Sequence, residues 1–125
     1  MSNNELVIEV LNQILKSVDI IQKRIKPISS ADEFLKNESR LQRLDSICMQ
    51  LIALGESIKH LDKITNKSLL KKHPEFEWKK AMGMRDILSH HYFDLNNDIV
   101  FDVCINEIPK LKKIIKLILL QILKK

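Results

Sequence analysis

At 125 residues the chain has room for one core that buries roughly two-thirds of its unfolded surface and none for a second, so a single domain over 1–125 is expected. Two glycines, three prolines and an abundance of Leu, Ile, Lys and Glu argue against a turn-rich β protein and for an all-α one. A formal charge of +5 suits an anionic partner and suits a solvated surface equally well, so it identifies neither.

Leu6, Val10, Ile14, Val18 and Ile21 recur at three- or four-residue spacing, with Leu11, Leu15 and Ile25 widening the stripe until Pro27 stops it. That pattern predicts a first helix. Ser30 and Glu33 stand at capping-box spacing, which predicts a new helical segment there. Leu41, Leu44, Cys48, Leu51, Gly55 and Ile58, with Ile47, Leu54 and Leu61 alongside, give the clearest periodicity and predict a long, central second helix. Glycine costs about 1 kcal/mol relative to alanine inside a helix, so Gly55 at an inward position is expected to permit a close helix crossing. Asp62 to Glu75, with Thr65, Asn66, Lys67, Leu69-Leu70 and Pro74, reads as a connection holding one turn of helix.

A third helix is expected from about Glu75 to His90, carrying Trp78, Ala81, Met82, Arg85 and Leu88, before Asn96-Asn97-Asp98 supplies a turn and an N-cap. The last segment, Ile99 to Leu123, is apolar over more than one stripe: Ile108, Leu111, Ile115, Ile118 and Ile122 form one row, widened by Ile114, Leu117 and Leu120. Pro109 inside this pattern is expected to kink it or divide it in two. The expectation is an up-and-down four-helix bundle with an extra short helix, assembled as a homodimer.

Cys48 and Cys104 form neither a C-x-x-C pair nor a disulfide-dense pattern, and read as small core residues in a reducing compartment. The Met1-Ser2-Asn3-Asn4-Glu5 start does not look like a signal peptide, and the longest aliphatic run, Leu117–Leu120, is far short of the roughly 20 residues of a membrane span. A cytoplasmic protein that does not engage a membrane is expected. The late lysines Lys110, Lys112, Lys113, Lys116, Lys124 and Lys125 read as a solvated helix face ahead of an RNA track.

A Gly-rich phosphate loop, H-E-x-x-H, paired C-x-x-C and G-x-S-x-G are all missing from the sequence. His73, His90 and His91 could join Asp86 or Asp94 around a metal, but no two histidines stand at i, i+3 or i, i+4, so neither a metal nor a cofactor is expected. The dense polar cluster is Gly83-Met84-Arg85-Asp86-Ile87-Leu88-Ser89-His90-His91-Tyr92. Arg85 offers a planar, permanently charged donor fork that suits phosphate, and His90 an imidazole that exchanges protons near neutral pH. Set against this, Arg, Asp and His at a helix end are also ordinary surface residues, with histidine favoured by the C-terminal dipole. Five residues of regular helix turn through about 500°, which leaves Arg85 and His90 roughly 140° apart. Either the helix loosens before His90 or a second subunit completes the site.

Arg85-x4-His90-x-Tyr92, preceded by Trp78-Lys79-Lys80-Ala81-Met82-Gly83-Met84 and by Leu54-Gly55-Glu56, resembles the HepT-like branch of the HEPN superfamily. The similarity extends over nearly the whole chain, including Phe34-Leu35 and Ile108-Pro109-x-Leu111. The resemblance implies a dimeric helical bundle in which two copies of the motif face each other across a composite cleft. It implies a metal-independent endoribonuclease acting as the toxin of a type VII-like toxin–antitoxin system, held inactive by an MNT-type nucleotidyltransferase antitoxin that adds AMP to the motif tyrosine. By position, Arg85 would bind the scissile phosphate, and His90 would serve as general acid or base in attack by the ribose 2′-hydroxyl. The RNA products would then carry 2′,3′-cyclic phosphates.

Tyr92 would be the site of AMP addition, with an amphipathic cap on the bundle as its plain alternative. Asp86 stands where many relatives have asparagine, and would orient Arg85 or His90 or weaken RNA binding by its charge. Glu56 is a buried partner for Arg85 or an exposed helix acid, His91 a solvent-facing neighbour, and His60 and His73 surface residues. The competing functions are a silent HEPN subunit that docks on a nucleotidyltransferase and assists nucleotide or substrate binding, and a purely structural helical dimer. The intact motif favours the nuclease.

Overall fold

The structure is a computed structural model that describes residues 3–89 and 97–124. The first helix, α1 (Asn3–Ile25), buries Val7, Val10, Leu11, Ile14, Val18, Ile21 and Ile25, the stripe its spacing dictates. A 3-10 segment, Ala31–Leu35, drives Phe34 fully into the core. The long α2 (Glu38–Ile64) follows, its first turn capped by Asn37, whose Oδ1 accepts from the Arg40 amide at 2.9 Å. Short helices α3 (Trp78–Met82) and α4 (Met84–Ser89) pack on α2, and α5 (Asn97–Asp102) leads through a π-helical turn, Val103–Glu107, into α6 (Ile108–Leu123). Helix α1 lies against α2 and α6, and one core runs from Ile14 and Ile21 through Leu44 and Ile58 to Leu111 and Ile115. The fold is all-α, with no strand among the described residues.

Three local expectations change. Ser30 is extended and makes no side-chain cap. Instead Ser29 Oγ donates to Glu33 Oε1, while Arg40 Nη1 takes Glu33 Oε2 at 2.6 Å. The Ser29 hydroxyl first, and Arg40 beside it, hold the Glu33 carboxyl below its usual range. A guanidinium outcompetes the backbone amide that a capping box would have offered this carboxylate, and the segment closes as a five-residue 3-10 turn.

The helix expected over 75–90 begins only at Trp78 and breaks at Gly83. Gly83 takes φ −86°, ψ 10°, its amide closing on the Lys79 carbonyl at 3.0 Å while its own carbonyl accepts from Ile87 at 3.1 Å. The chain thereby turns a corner between α3 and α4.

The segment expected over 99–123 is divided as Pro109 led one to expect, into α5 and α6, with Pro109 itself in the first turn of α6, where its missing N–H is least costly. The disturbance moves upstream into the π-helical turn, whose wider loop relieves the crowding a proline ring imposes on the carbonyl four residues before it. His73 is buried, at 8% exposure, not on the surface. Its carbonyl accepts from Trp78 Nε1 at 2.8 Å, its ring approaches Glu75 to 3.5 Å, and Phe76 packs on Trp78 with ring centroids 4.7 Å apart. That cluster pins the connection to the foot of α3.

Candidate active site

The site begins with what is missing from Gly55. A Cβ on that residue would collide with the Ala81 carbonyl oxygen and come within 3.5 Å of Met84 Cβ. The α3–α4 corner therefore rests directly on the α2 backbone, as expected of a close crossing. This proximity puts Arg85, in the first turn of α4, over Glu56, the next residue of α2 after Gly55.

Arg85 Nε donates to Glu56 Oε1 at 3.0 Å, and Lys59 Nζ reaches the same oxygen at 3.8 Å. Each reading of Glu56 is half right: it is the partner of Arg85, but not a buried one, for the Arg85 and Glu56 side chains are 61% and 42% exposed. An ion pair this wet adds little stability. What it does is fix direction: with Nε engaged, the terminal nitrogens of Arg85 have no partner among the described residues and face outward as a fork. Asp86 is exposed beside it, an acid in the first turn of α4. His90, His91, Tyr92 and Asp94 lie outside the described residues.

Two surfaces flank this corner. On one side a cleft of about 540 Å³ is lined by Leu51, Leu54, Met84, Ile87 and Leu111, and edged by Glu77, Asp98, Asp102 and Glu107 against Lys80. Its apolar floor and acidic edge repel a phosphate backbone. On the other side Lys59, Lys63, Asn66 and Lys67 form a basic groove with Met82 and Asp62. The sequence reading passed over this second surface, although three lysines four residues apart are visible in it. Among the described residues no group of three or more His, Cys, Asp or Glu converges as a metal site, and no helix is long and apolar enough to cross a membrane.

Comparison with known proteins gives the corner its context. No solved structure matches the chain. A candidate RNase of Caldanaerobacter subterraneus subsp. tengcongensis is 35% identical over 109 residues, 87% of this chain and 90% of the relative. A candidate RNase of Methanocaldococcus jannaschii is 35% identical over 78 residues, 62% of this chain and 59% of the relative. A third relative, from the same archaeon and named as a gamma-glutamylcyclotransferase and candidate RNase, is 32% identical over 82% of this chain and 43% of its own length. The profile of the family described as Ribonuclease HepT-like matches residues 14–118. Fold, motif and relatives agree: the chain belongs to the HepT-like ribonuclease family of the HEPN superfamily.

Proposed function

We propose that this chain, acting as a single HEPN domain over residues 1–125, is the ribonuclease toxin of a toxin–antitoxin pair and works in the cytoplasm as a homodimer. The observation that carries the reading is the outward Arg85 fork, anchored by Glu56 five residues ahead of His90 in a chain of a ribonuclease family. Arg85 binds the scissile phosphate and stabilises the charge that builds on its oxygens. The ribose 2′-oxygen attacks phosphorus, the bond to the 5′-oxygen breaks, and the products are a 2′,3′-cyclic phosphate and a 5′-hydroxyl. His90 takes the proton from the 2′-hydroxyl or returns one to the leaving 5′-oxygen. No metal takes part in these steps. Two chains facing each other answer the roughly 140° that separates Arg85 from His90 on one regular helix.

Control falls to Tyr92, the only tyrosine. A partner MNT-type nucleotidyltransferase transfers AMP from ATP to its phenolic oxygen, pyrophosphate leaves, and the bulky anion excludes RNA by volume and charge. The alternative is a silent subunit in which Arg85, held in the same way by Glu56, binds phosphate without cleavage.

A single comparison separates the two. RNA is incubated in EDTA with the wild type, Arg85→Ala and His90→Ala. Cleavage to cyclic-phosphate ends is expected from the wild type, with a loss of roughly 10²–10³-fold in each variant. Equal rates in all three would sink the nuclease. Intact mass after co-expression with the nucleotidyltransferase is expected to show added AMP that Tyr92→Phe abolishes.

A further inference from the structure

The groove beside Met82 has no role in the cleavage chemistry, yet it adjoins the site. Lys59, Lys63, Asn66 and Lys67 line it with Met82, and Asp62 is its one acid. Lys59 shares the Glu56 oxygen that holds Arg85, so the lysine row and the arginine fork are continuous. Lys59 and Lys63 are separated by about 6 Å of helix rise on one face of α2. Lys63 and Lys67 are exposed and have no ion-pair partner among the described residues.

The end of this row is held firmly. The Lys67 amide donates to the Asp62 carbonyl at 2.8 Å and the Asn66 amide to the Lys63 carbonyl at 3.1 Å, the paired bonds of a Schellman closure. Asn66 takes the left-handed conformation usually given to glycine, φ 53°, and Lys67 follows at φ 59°. Lysines near a helix C-terminus are favoured by its dipole, which accounts for Lys63 in the last turn. It does not account for Lys59, farther back, or for Lys67 held beyond the helix end in a backbone region that side-chain-bearing residues rarely adopt.

We infer that this groove extends the RNA site: Lys59, Lys63 and Lys67 hold successive phosphates of one RNA strand whose scissile phosphate lies at Arg85. The inference rests on the nuclease reading above and names the form of its substrate. One row of cations matches one strand, whereas a duplex presents two phosphate rows across a groove. Met82 gives the strand an apolar surface for a ribose or base.

The test uses the full chain with His90→Ala, so that RNA stays intact, and fluorescence anisotropy with a labelled oligouridine of about 20 nucleotides across a salt series. Lys63→Gln/Lys67→Gln is expected to weaken binding and to reduce the slope of log K against log salt by about 1.4, two phosphate contacts at about 0.7 each. Lys113→Gln/Lys116→Gln on α6 is expected to leave the slope in place, and Lys63→Arg/Lys67→Arg to preserve it. An unchanged slope in the first variant, an equal fall in the α6 variant, no binding by the parent, or displacement by polyglutamate as effective as by polyuridine would each overturn the inference, the last by pointing to an acidic protein. If His90-intact protein cleaves RNA while the slope is unmoved, only the track fails. If the slope falls as expected and nothing is cleaved, only the nuclease fails.

Discussion

The end of α2 with the turn that follows it and the whole of α6 both carry a row of lysines, and the two rows sit in different surroundings. On α6, Lys110 pairs with Glu107 at 3.7 Å, and Lys112 reaches Asp19 at 3.3 Å and Gln22 at 3.1 Å, tying α6 to α1. At the end of α2, Lys59 turns toward the arginine site, while Lys63 and, past the helix end, Lys67 stand open to water. Only Lys112 ties α6 to another helix, for Lys113 and Lys116 are as exposed and as free of ion-pair partners among the described residues as Lys63 and Lys67; what sets the second row apart is that it adjoins Arg85. Count and spacing of charge do not distinguish them; the neighbours do.

Two glycines offer the strongest way to break that contrast, since the α2 side depends on a close backbone approach that α6 lacks. Gly55→Val is expected to lose about 2–3 kcal/mol in urea unfolding, because the added atoms meet the Ala81 carbonyl and the corner must lift. Gly83→Ala is the counterpart. Its nearest neighbours stand at 3.4 Å and 3.7 Å and its φ is negative, so a neutral result or a gain of about 0.4–1 kcal/mol is expected. Equal losses in the two would show that the corner does not depend on the Gly55 crossing.

A pH-dependent effect links α2 to the π-helical turn that precedes α6. Burial pushes the Cys48 thiol up to about 11 and the Cys104 thiol, on the π-helical turn, up to about 12, with Asp45 and Cys48 respectively adding to the rise. Both values are raised on folding, so the buried thiols' contribution is complete below the unfolded value near 9 and is lost as pH climbs toward 11 and 12. Urea midpoints are expected to fall more steeply above pH 9 in the wild type than in Cys48→Ala/Cys104→Ala, by at most about 1.4 kcal/mol per pH unit for each thiol. Parallel curves would refute this. The least effect is expected from Lys112→Gln, whose partners are partly solvated: under about 1 kcal/mol by thermal or urea unfolding.

Where a helix buries one stripe, the residues announce it. The apolar spacing of α1, α2 and α6 predicts the main buried rows, because each side chain's place follows from the period, but Leu41 is 39% exposed and the residues expected to widen the α6 stripe, Leu117 and Leu120, are 47% and 53% exposed. Gly55 was legible for a related reason, since an inward glycine in a strong helix asks for an explanation.

Expectations changed where the outcome turned on a partner distant in sequence or on a choice between equivalent local forms. Glu33 was lost to Arg40, seven residues away. Gly83 fits a helix interior as well as a corner until α2 is in place beneath it. His73 became buried only through the folding of its own connection over Trp78. Of the motif, Arg85 and Asp86 have a described setting, and Arg85 alone has a described ion-pair partner.

The shared Glu56 oxygen has an electrostatic consequence of its own. A carboxylate lodged between a guanidinium and an ammonium makes that corner behave as a small ion exchanger in its resting form: its local field is weaker than its two cations would give, and an entering phosphate must displace or share the resident anion. Farther out, Lys63 and Lys67 carry uncompensated charge and set the attraction felt at a distance, up to about a Debye length in physiological salt. Capture and grip are thereby divided along one helix, with the lysines determining how often a polyanion arrives and the exchange at Glu56 determining which one stays.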